Sequence, residues 1–269
     1  MKIGLQLSSL KEFMQTPSDV LETFRKVKSI GYSYVQVQWV GEDISNEEIK
    51  QCLNSAGLIC VSTQDSLDDV FCHMDAIIER NKLWQSKYAC VAAYVGAEQE
   101  ESAIVETAKK LNTVSKKLND NEMVLELHPL FPSYVATDGI MPLDKIWKHL
   151  DNSILLQPDF YHVVRGKANP VGLVNKYAGR IAGTHFKDFK TTDSNLDSTQ
   201  INGFDVMKQG AFPLTPLGKG IIPWQEIVEA CVMHGVKYCY VEQEAWDSDP
   251  FECLAESFNY LVSMGLDSL

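Results

Sequence analysis

The feature that most constrains the fold is a regular alternation of short apolar runs with amphipathic segments of helical spacing. Several of the runs are apolar at every position, which is typical of strands buried on both faces of a parallel sheet. Eight runs of this kind follow one another along the chain, at residues 2–7, 34–39, 58–63, 88–94, 123–128, 154–158, 181–186 and 238–242.

Helical signals lie between the runs. Val20, Phe24 and Val27 recur at helical spacing, and Ser45 with Glu48 three residues later predicts a capping box. Eight strand–helix units within 269 residues predict an α/β protein that forms one (β/α)₈ TIM barrel, a single domain over residues 1–269. The glycine patterns of dinucleotide and nucleoside triphosphate loops are absent from the sequence.

One segment interrupts this rhythm. No helical pattern follows the seventh run from residue 187 to residue 223, and the segment is rich in glycine and proline. Long loops in compact domains are commonly functional, and in a barrel this one would extend from the carboxyl-terminal face. We expect it to cover the active site.

The charge balance excludes some partners. Lys and Arg number 24 against 36 Asp and Glu, which gives a net charge of −12 that repels nucleic acid and anionic membranes. No apolar run is long enough to span a bilayer, and the first residues lead directly into a strand pattern. Seven cysteines without a C-x-x-C pair suit a reducing compartment. These observations predict a cytoplasmic protein.

Potential metal ligands lie at or near the carboxyl ends of four successive predicted strands. Buried carboxylates inside apolar strands need a partner, and the strand ends of a barrel converge on its mouth. Three carboxylates and one imidazole suit Mn²⁺, Mg²⁺ or Co²⁺ and also accept Zn²⁺. We expect one divalent ion, with Mn²⁺ the first choice. The four residues are Glu126, Asp159, His185 and Glu242.

Several segments carry a family resemblance over nearly the whole chain. They are His185-Phe186-Lys187-Asp188, Val241-Glu242-Gln243, residues 159–162 and residues 218–222. With them the chain resembles the xylose isomerase-like TIM barrels, the sugar phosphate isomerase/epimerase group. The resemblance implies that the four residues at the strand ends bind one divalent metal. It also implies a homo-dimer or homo-tetramer.

The activity that follows from this resemblance is sugar, polyol or inosose isomerisation or epimerisation. A proton would move next to a carbonyl through an enediolate, with Glu126 and Glu242 as the catalytic groups. The residues expected to bind the carbohydrate are His128, His162, Lys187, Gln64, Gln6 and Trp39. We place Glu244 past the strand end, on a solvated loop.

Three alternatives remain open at the level of sequence. The same chemistry could expel a substituent, which would make the protein a dehydratase or a lyase of a keto-sugar or an oxidised glycoside. A non-catalytic sugar-binding barrel is the second alternative. A nuclease with a multi-zinc cluster is disfavoured, because the chain has six histidines and a net charge of −12.

Overall fold

The barrel is seen in a computed structural model that describes residues 1–93, 100–191 and 212–267. Its large sheet has eight strands, all paired in parallel. The prediction of a (β/α)₈ barrel is therefore confirmed. The strands of the described part are β1 Lys2–Gln6, β2 Tyr34–Val37, β3 Ile59–Ser66, β4 Tyr88–Ala93, β5 Val124–Pro129, β6 Leu155–Leu156, β7 Gly183–Phe186, β8 Asp188–Phe189, β9 Leu214–Thr215 and β10 Tyr238–Val241.

The large sheet runs in the order β6-β5-β4-β3-β2-β1-β10-β7, and its two edges meet. Isolated parallel bridges join Leu156 to Ile181 and Asp159 to His185. At the second bridge the backbone N–H of His185 donates to the carbonyl of Pro158 at 2.9 Å. These bridges close the barrel, and the closure places Asp159 beside His185 at the carboxyl-terminal end.

Helices surround the sheet and bury their apolar faces against it. Val20, Phe24 and Val27 of the first helix are fully buried, as their spacing predicts. The predicted capping box of Ser45 and Glu48 is present. The described α-helices are α1 Pro17–Ile30, α2 Asn46–Ala56, α3 Leu67–Cys72, α4 Met74–Trp84, α5 Glu101–Asn119, α6 Pro142–Trp147, α7 Phe160–Arg165, α8 Pro170–Lys176, α9 Trp224–Met233 and α10 Pro250–Ser263.

Two short 3₁₀ helices, Leu7–Phe13 and Phe131–Tyr134, follow β1 and β5 at the barrel mouth. Helical structure after β3 is divided at His73 into α3 and α4. No helix in the described ranges combines the length and the apolar character that crossing a membrane requires.

Of the predicted long loop at 187–223, residues 192–211 lie outside the described residues. Its two described ends form a small antiparallel sheet, because β8 pairs with β9 in the register Asp188 to Thr215. The buried carboxylate of Asp188 holds the segment that follows β9 through hydrogen bonds. It accepts hydrogen bonds from the backbone N–H groups of Phe189, Gly218, Gly220 and Ile222 and from the indole N–H of Trp224.

Candidate metal centre and active site

Four side chains meet at the barrel mouth, and we call them the mouth layer: His128 in β5, Asp159 after β6, His185 in β7 and Glu242 after β10. All four are buried. The ligand atoms of His128, Asp159 and His185 lie within 4.8 Å of one another. Glu242 Oε2 lies 3.0 Å from His185 Nδ1. The structure therefore brings together three of the four predicted ligands, and His128 joins them.

Lys187 places its ammonium among the carboxylates of this layer. Its Nζ lies 2.9 Å from Glu242 Oε2, 3.0 Å from Glu244 Oε2 and 3.4 Å from Asp159 Oδ2. Burial opposes the charge of Lys187, but the three carboxylates outweigh burial and hold the pKa of Lys187 well above its ordinary value. Three carboxylates around one ammonium leave a surplus of negative charge at the mouth.

The ionisation of the acidic side chains reflects the same arrangement. Burial opposes ionisation of Glu242, yet Lys187 and His185 outweigh it and hold the pKa of Glu242 well below its ordinary value. Burial raises the pKa of Asp159 to about 6 despite the neighbouring Lys187. Both carboxyl groups are therefore mainly ionised at pH 7, which is the form that binds cations.

Two histidines of the site are held neutral. Burial lowers the pKa of His128 and of His162 well below the ordinary value. His128 Nδ1 lies 3.3 Å from the carbonyl oxygen of Gln157, and His162 Nε2 lies 3.7 Å from Asp159 Oδ2. A neutral imidazole is the form that binds a metal or exchanges hydrogen bonds with a hydroxyl group.

Glu126, predicted as a ligand and a catalytic group, lies one layer deeper. It precedes His128 by two residues, and residues two apart in a strand point to the same face. Its carboxyl group accepts hydrogen bonds from Gln157 Nε2 at 2.8 Å and from the backbone N–H of Gly183 at 3.1 Å. Both partners lie two residues before members of the mouth layer. His128 thus occupies the level that the sequence analysis assigned to Glu126.

The environment of Glu126 is closed. The residue is fully buried, and burial raises its pKa to about 8. Ser62 Oγ lies 3.5 Å from the second carboxyl oxygen. Glu126 does not line the cavity described below, so its carboxyl group faces the barrel interior and not the substrate space.

Glutamine side chains fill the interior directly beneath the mouth layer. Gln36 Oε1 lies 2.5 Å from His185 Nε2 and accepts a hydrogen bond from Gln6 Nε2 at 3.0 Å. Gln36 Nε2 donates to Gln157 Oε1 at 3.0 Å. Gln6, predicted to bind substrate, is fully buried within this network and does not line the cavity.

A cavity opens above the mouth layer, and the space within it, open solvent included, is about 670 Å³. Five predicted substrate-binding residues line it, together with Glu242. They are His128, His162, Lys187, Gln64 and Trp39.

Trp39 stands at the rim of this cavity. Its side chain is 47% exposed, and its φ of 55° lies in the left-handed region, which bulky residues rarely adopt. Lys11 Nζ lies 4.9 Å from the centre of a Trp39 ring. Backbone strain of this kind persists where the surrounding structure imposes it, and it is concentrated at functional sites.

Other cavity residues were missed by the sequence analysis. Glu244, expected on a solvated loop, instead lines the cavity and contacts Lys187. Arg165 also lines it, is 1% exposed, and has its guanidinium 4.0 Å from the ring centre of Phe131. Arg165 is the last residue of α7, a short helix after β6 that was not predicted from the sequence.

Comparisons with known proteins identify relatives of this barrel. The inosose dehydratase of Clostridium beijerinckii is 25% identical over 177 residues, which cover 64% of this chain and 57% of that protein. The chain thus matches little more than half the length of this curated relative. A sugar phosphate isomerase/epimerase from Parabacteroides distasonis has a TM-score of 0.75, 19% identity and 97% coverage of each chain.

A further solved structure carries a metal. It is a xylose isomerase-like TIM barrel protein from Mycobacterium smegmatis in complex with magnesium, with a TM-score of 0.72 and 15% identity over 98% of this chain and 96% of that chain. The model of the family described as xylose isomerase-like TIM barrel matches residues 24–263. The barrel described above therefore belongs to the xylose isomerase-like TIM barrel family.

Proposed function

We propose that this protein is an enzyme that isomerises or epimerises a keto-sugar, a polyol-derived ketone or an inosose with the help of one divalent metal ion. The observation that carries the proposal is the buried convergence of His128, Asp159 and His185 beside Glu242, directly beneath an open cavity lined by polar and aromatic side chains.

The residues present fit a divalent metal. Asp159 Oδ2 and His185 Nδ1 are buried. Within the described part of the chain they have charged neighbours, Lys187 at 3.4 Å and Glu242 at 3.0 Å, but no hydrogen bond of good geometry. The surplus negative charge around Lys187 would be compensated by a doubly charged ion. Asp159, His185, His128 and Glu242 would hold it, and this mixture of oxygen and nitrogen ligands suits Mn²⁺, with Mg²⁺, Co²⁺ and Zn²⁺ as alternatives. When bound, the ion would polarise the substrate carbonyl and stabilise negative charge on its oxygen.

Glu242 is the residue that we assign to proton transfer. It lines the cavity, it is ionised at neutral pH, and its Oε1 accepts a hydrogen bond from Ser8 Oγ at 3.0 Å. A fixed, ionised carboxylate that faces the substrate can remove a proton from carbon and return it. Glu126 is shut off from the cavity, so we assign it no contact with substrate.

The remaining cavity residues would position the substrate. His128 and His162 are neutral and can exchange hydrogen bonds with hydroxyl groups, as can Gln64. The ammonium of Lys187 would donate to a substrate oxygen. The exposed ring of Trp39 offers an apolar platform at the rim, where a sugar ring can stack.

Dehydration is the second candidate, favoured by the curated inosose dehydratase relative. Removal of a proton next to a carbonyl is common to both reactions. They differ in the fate of the neighbouring hydroxyl group, which is retained in isomerisation and expelled as water in dehydration.

One experiment separates the two candidates. The purified protein is loaded with Mn²⁺ and incubated with ketoses and inososes in D₂O, and the products are followed by NMR. Deuterium at the carbon next to the carbonyl in a product of unchanged composition supports an isomerase or epimerase. An unsaturated ketone that has lost water supports a dehydratase. The Glu242→Gln variant, which keeps the shape but not the charge, should do neither.

A further inference from the structure

We propose that Gln36 is a positioning residue that fixes the tautomer of His185 and thereby prepares the Nδ1 atom of His185 to bind the metal. The inference rests on the metal site proposed above, and it adds the part of the structure that sets the chemical state of one ligand.

The side chains of Gln36 and His185 are in direct contact. Gln36 Oε1 lies 2.5 Å from His185 Nε2, and both residues are fully buried. An amide oxygen only accepts hydrogen bonds, so Nε2 must carry the proton as long as Gln36 presents its oxygen. Nδ1 of His185 is then the ring nitrogen left for the metal, and it lies 3.0 Å from Glu242 Oε2. In the metal-free protein any proton on Nδ1 is donated to Glu242, and a bound metal would take the place of that proton.

If the Gln36 amide turned over, it would present its NH₂ group to His185 and reverse the tautomer. On one side the restraint begins at a backbone group. The N–H of Ser8 donates to Gln6 Oε1 at 3.3 Å, so Gln6 presents its NH₂ group to Gln36. A backbone N–H cannot become an acceptor, and Gln36 must therefore keep its oxygen on this side.

The restraint on the other side also begins at a backbone group. The N–H of Gly183 requires an oxygen of Glu126, whose other oxygen accepts from Gln157 Nε2. Gln157 consequently turns its own oxygen to Gln36 Nε2. Two fixed donors, at Ser8 and at Gly183, thus impose the same orientation on Gln36 from opposite directions.

This arrangement gives Glu126 a role without contact to the metal. In its ionised form, which the hydrogen bonds from Gly183 and Gln157 favour against burial, the carboxyl group presents an acceptor oxygen to each of them, whereas an amide can present only one. In the Glu126→Gln variant the new oxygen faces the fixed donor of Gly183, and the new NH₂ group faces Gln157 Nε2. Gln157 must turn over or lose its bond, and the restraint on Gln36 is weakened.

The test compares metal binding and the protonation of His185 in the 269-residue protein. The affinity for Mn²⁺ is measured by isothermal titration calorimetry. Long-range ¹H–¹⁵N NMR spectra of the metal-free protein report which ring nitrogen carries the proton, with the His185→Ala variant for assignment. We expect Nε2 to be protonated in the parent protein. A bare Nε2 beside a protonated Nδ1 would overturn the proposal.

Variants distinguish positioning from general support of the fold. Gln36→Leu removes the acceptor and should weaken Mn²⁺ binding by about 10- to 100-fold, the usual cost of losing a partner of a metal ligand. Gln36→Glu keeps an acceptor oxygen for His185 Nε2 and should remain within about threefold of the parent protein. Unchanged affinity in Gln36→Leu, or equal losses in the two variants, would contradict the proposal.

The Glu126→Gln variant provides an independent test if the Gln36→Leu variant does not fold. It should weaken Mn²⁺ binding, and the double variant Glu126→Gln with Gln36→Glu should restore it, because a carboxylate at position 36 accepts from His185 whichever group Gln157 presents. Failure of this rescue would contradict the proposal. The matched control is Asn81→Leu, which removes a fully buried amide bonded to Thr63 and should leave both readouts unchanged.

The outcome also separates this inference from the proposed function. A parent protein that binds no divalent ion contradicts the metal-dependent function, while the NMR spectra of the metal-free protein still decide the tautomer. A parent protein that binds Mn²⁺ but shows no effect of Gln36→Leu and Glu126→Gln retains the proposed function and overturns the inference.

Discussion

Asp159 and His185 face each other across the seam at which the barrel closes, joined by an isolated parallel bridge. The strands on either side of this seam meet through two such bridges, whereas the other neighbouring strands pair through ladders. The geometry of the candidate metal site is therefore coupled to closure of the barrel. An ion bound by both residues would stabilise the closed state, since a ligand of the native state shifts the folding equilibrium toward it.

Replacement of Glu242 by Gln tests the proposed proton transfer. The change removes the charge that faces the cavity and should lower kcat by about 10²- to 10⁴-fold, the typical contribution of a general base. Steady-state kinetics on the substrate found in D₂O would measure it. The Glu252→Gln variant, in the first turn of α10, is the matched control and should retain parental kcat. An active Glu242→Gln variant would contradict the assigned role.

Replacement of Lys187 by Met tests the charge balance at the mouth. Loss of the ammonium leaves Asp159, Glu242 and Glu244 uncompensated, and removing one partner of a buried ion pair costs about 3–5 kcal/mol. Urea denaturation of the metal-free protein should show this loss, and saturating Mn²⁺ should recover part of it. The control Lys219→Met, at an exposed lysine paired with Glu256, should cost about 1 kcal/mol or less.

The pH dependence of this stabilisation has a definite sign. The pKa of Lys187 is raised in the folded protein, so its contribution is fully present below the ordinary pKa of lysine and is lost only as the pH rises through the folded value. Between pH 6 and pH 9 the stability difference between the parent protein and Lys187→Met should therefore not decline because of Lys187 itself. If Lys187 lost its proton between pH 6 and pH 9, the stability difference between the two proteins would fall over this range. Such a fall in urea denaturation would contradict the raised pKa of Lys187.

Replacement of Asp188 by Asn tests whether its carboxylate anchors the segment that follows β9. Its carboxylate accepts hydrogen bonds that include those from Gly218, Gly220 and the indole of Trp224. Asp188→Asn replaces one acceptor oxygen by a donor and should cost about 3 kcal/mol of the free energy of unfolding. Asp249→Asn, at the exposed cap of α10, should cost about 1 kcal/mol or less. Equal losses in urea denaturation would contradict the anchoring role.

Replacement of Trp39 by Asn tests whether the strained backbone at this position serves substrate binding. Asn tolerates the left-handed region better than Trp, so Trp39→Asn should relieve strain of about 1–3 kcal/mol and should not lower stability. Loss of the ring at the cavity rim should raise KM while the fold is kept. Lower stability with an unchanged KM would instead indicate a structural role.

The barrel itself could be predicted from the sequence, because each buried strand and each amphipathic helix carries its own periodicity. The predicted runs at 2–7 and 238–242 differ from β1 and β10 by one residue at one end. Closure at β6 is harder to foresee, since only Leu155–Leu156 form a regular ladder where a longer run was predicted. Pro158 in this segment cannot donate to a neighbouring strand.

The candidate site could be predicted in part, and the difference at β5 has a physical cause. Glu126 and His128 point to the same face, so the pattern of β5 alone cannot tell which lies level with Asp159. That level depends on the stagger between neighbouring strands, which closure of the barrel sets. Gln36 and Gln157 could have been found, because a polar residue inside an apolar strand needs a buried partner.

The central claim is that the mouth layer binds one divalent ion. The most direct measurement is elemental analysis of protein purified without chelator and then supplied with Mn²⁺, for the parent protein and for Asp159→Asn and His185→Ala. The account predicts one ion per chain in the parent protein and its loss in both variants. A folded parent protein that retains no Mn²⁺, Mg²⁺, Co²⁺ or Zn²⁺ would contradict the account.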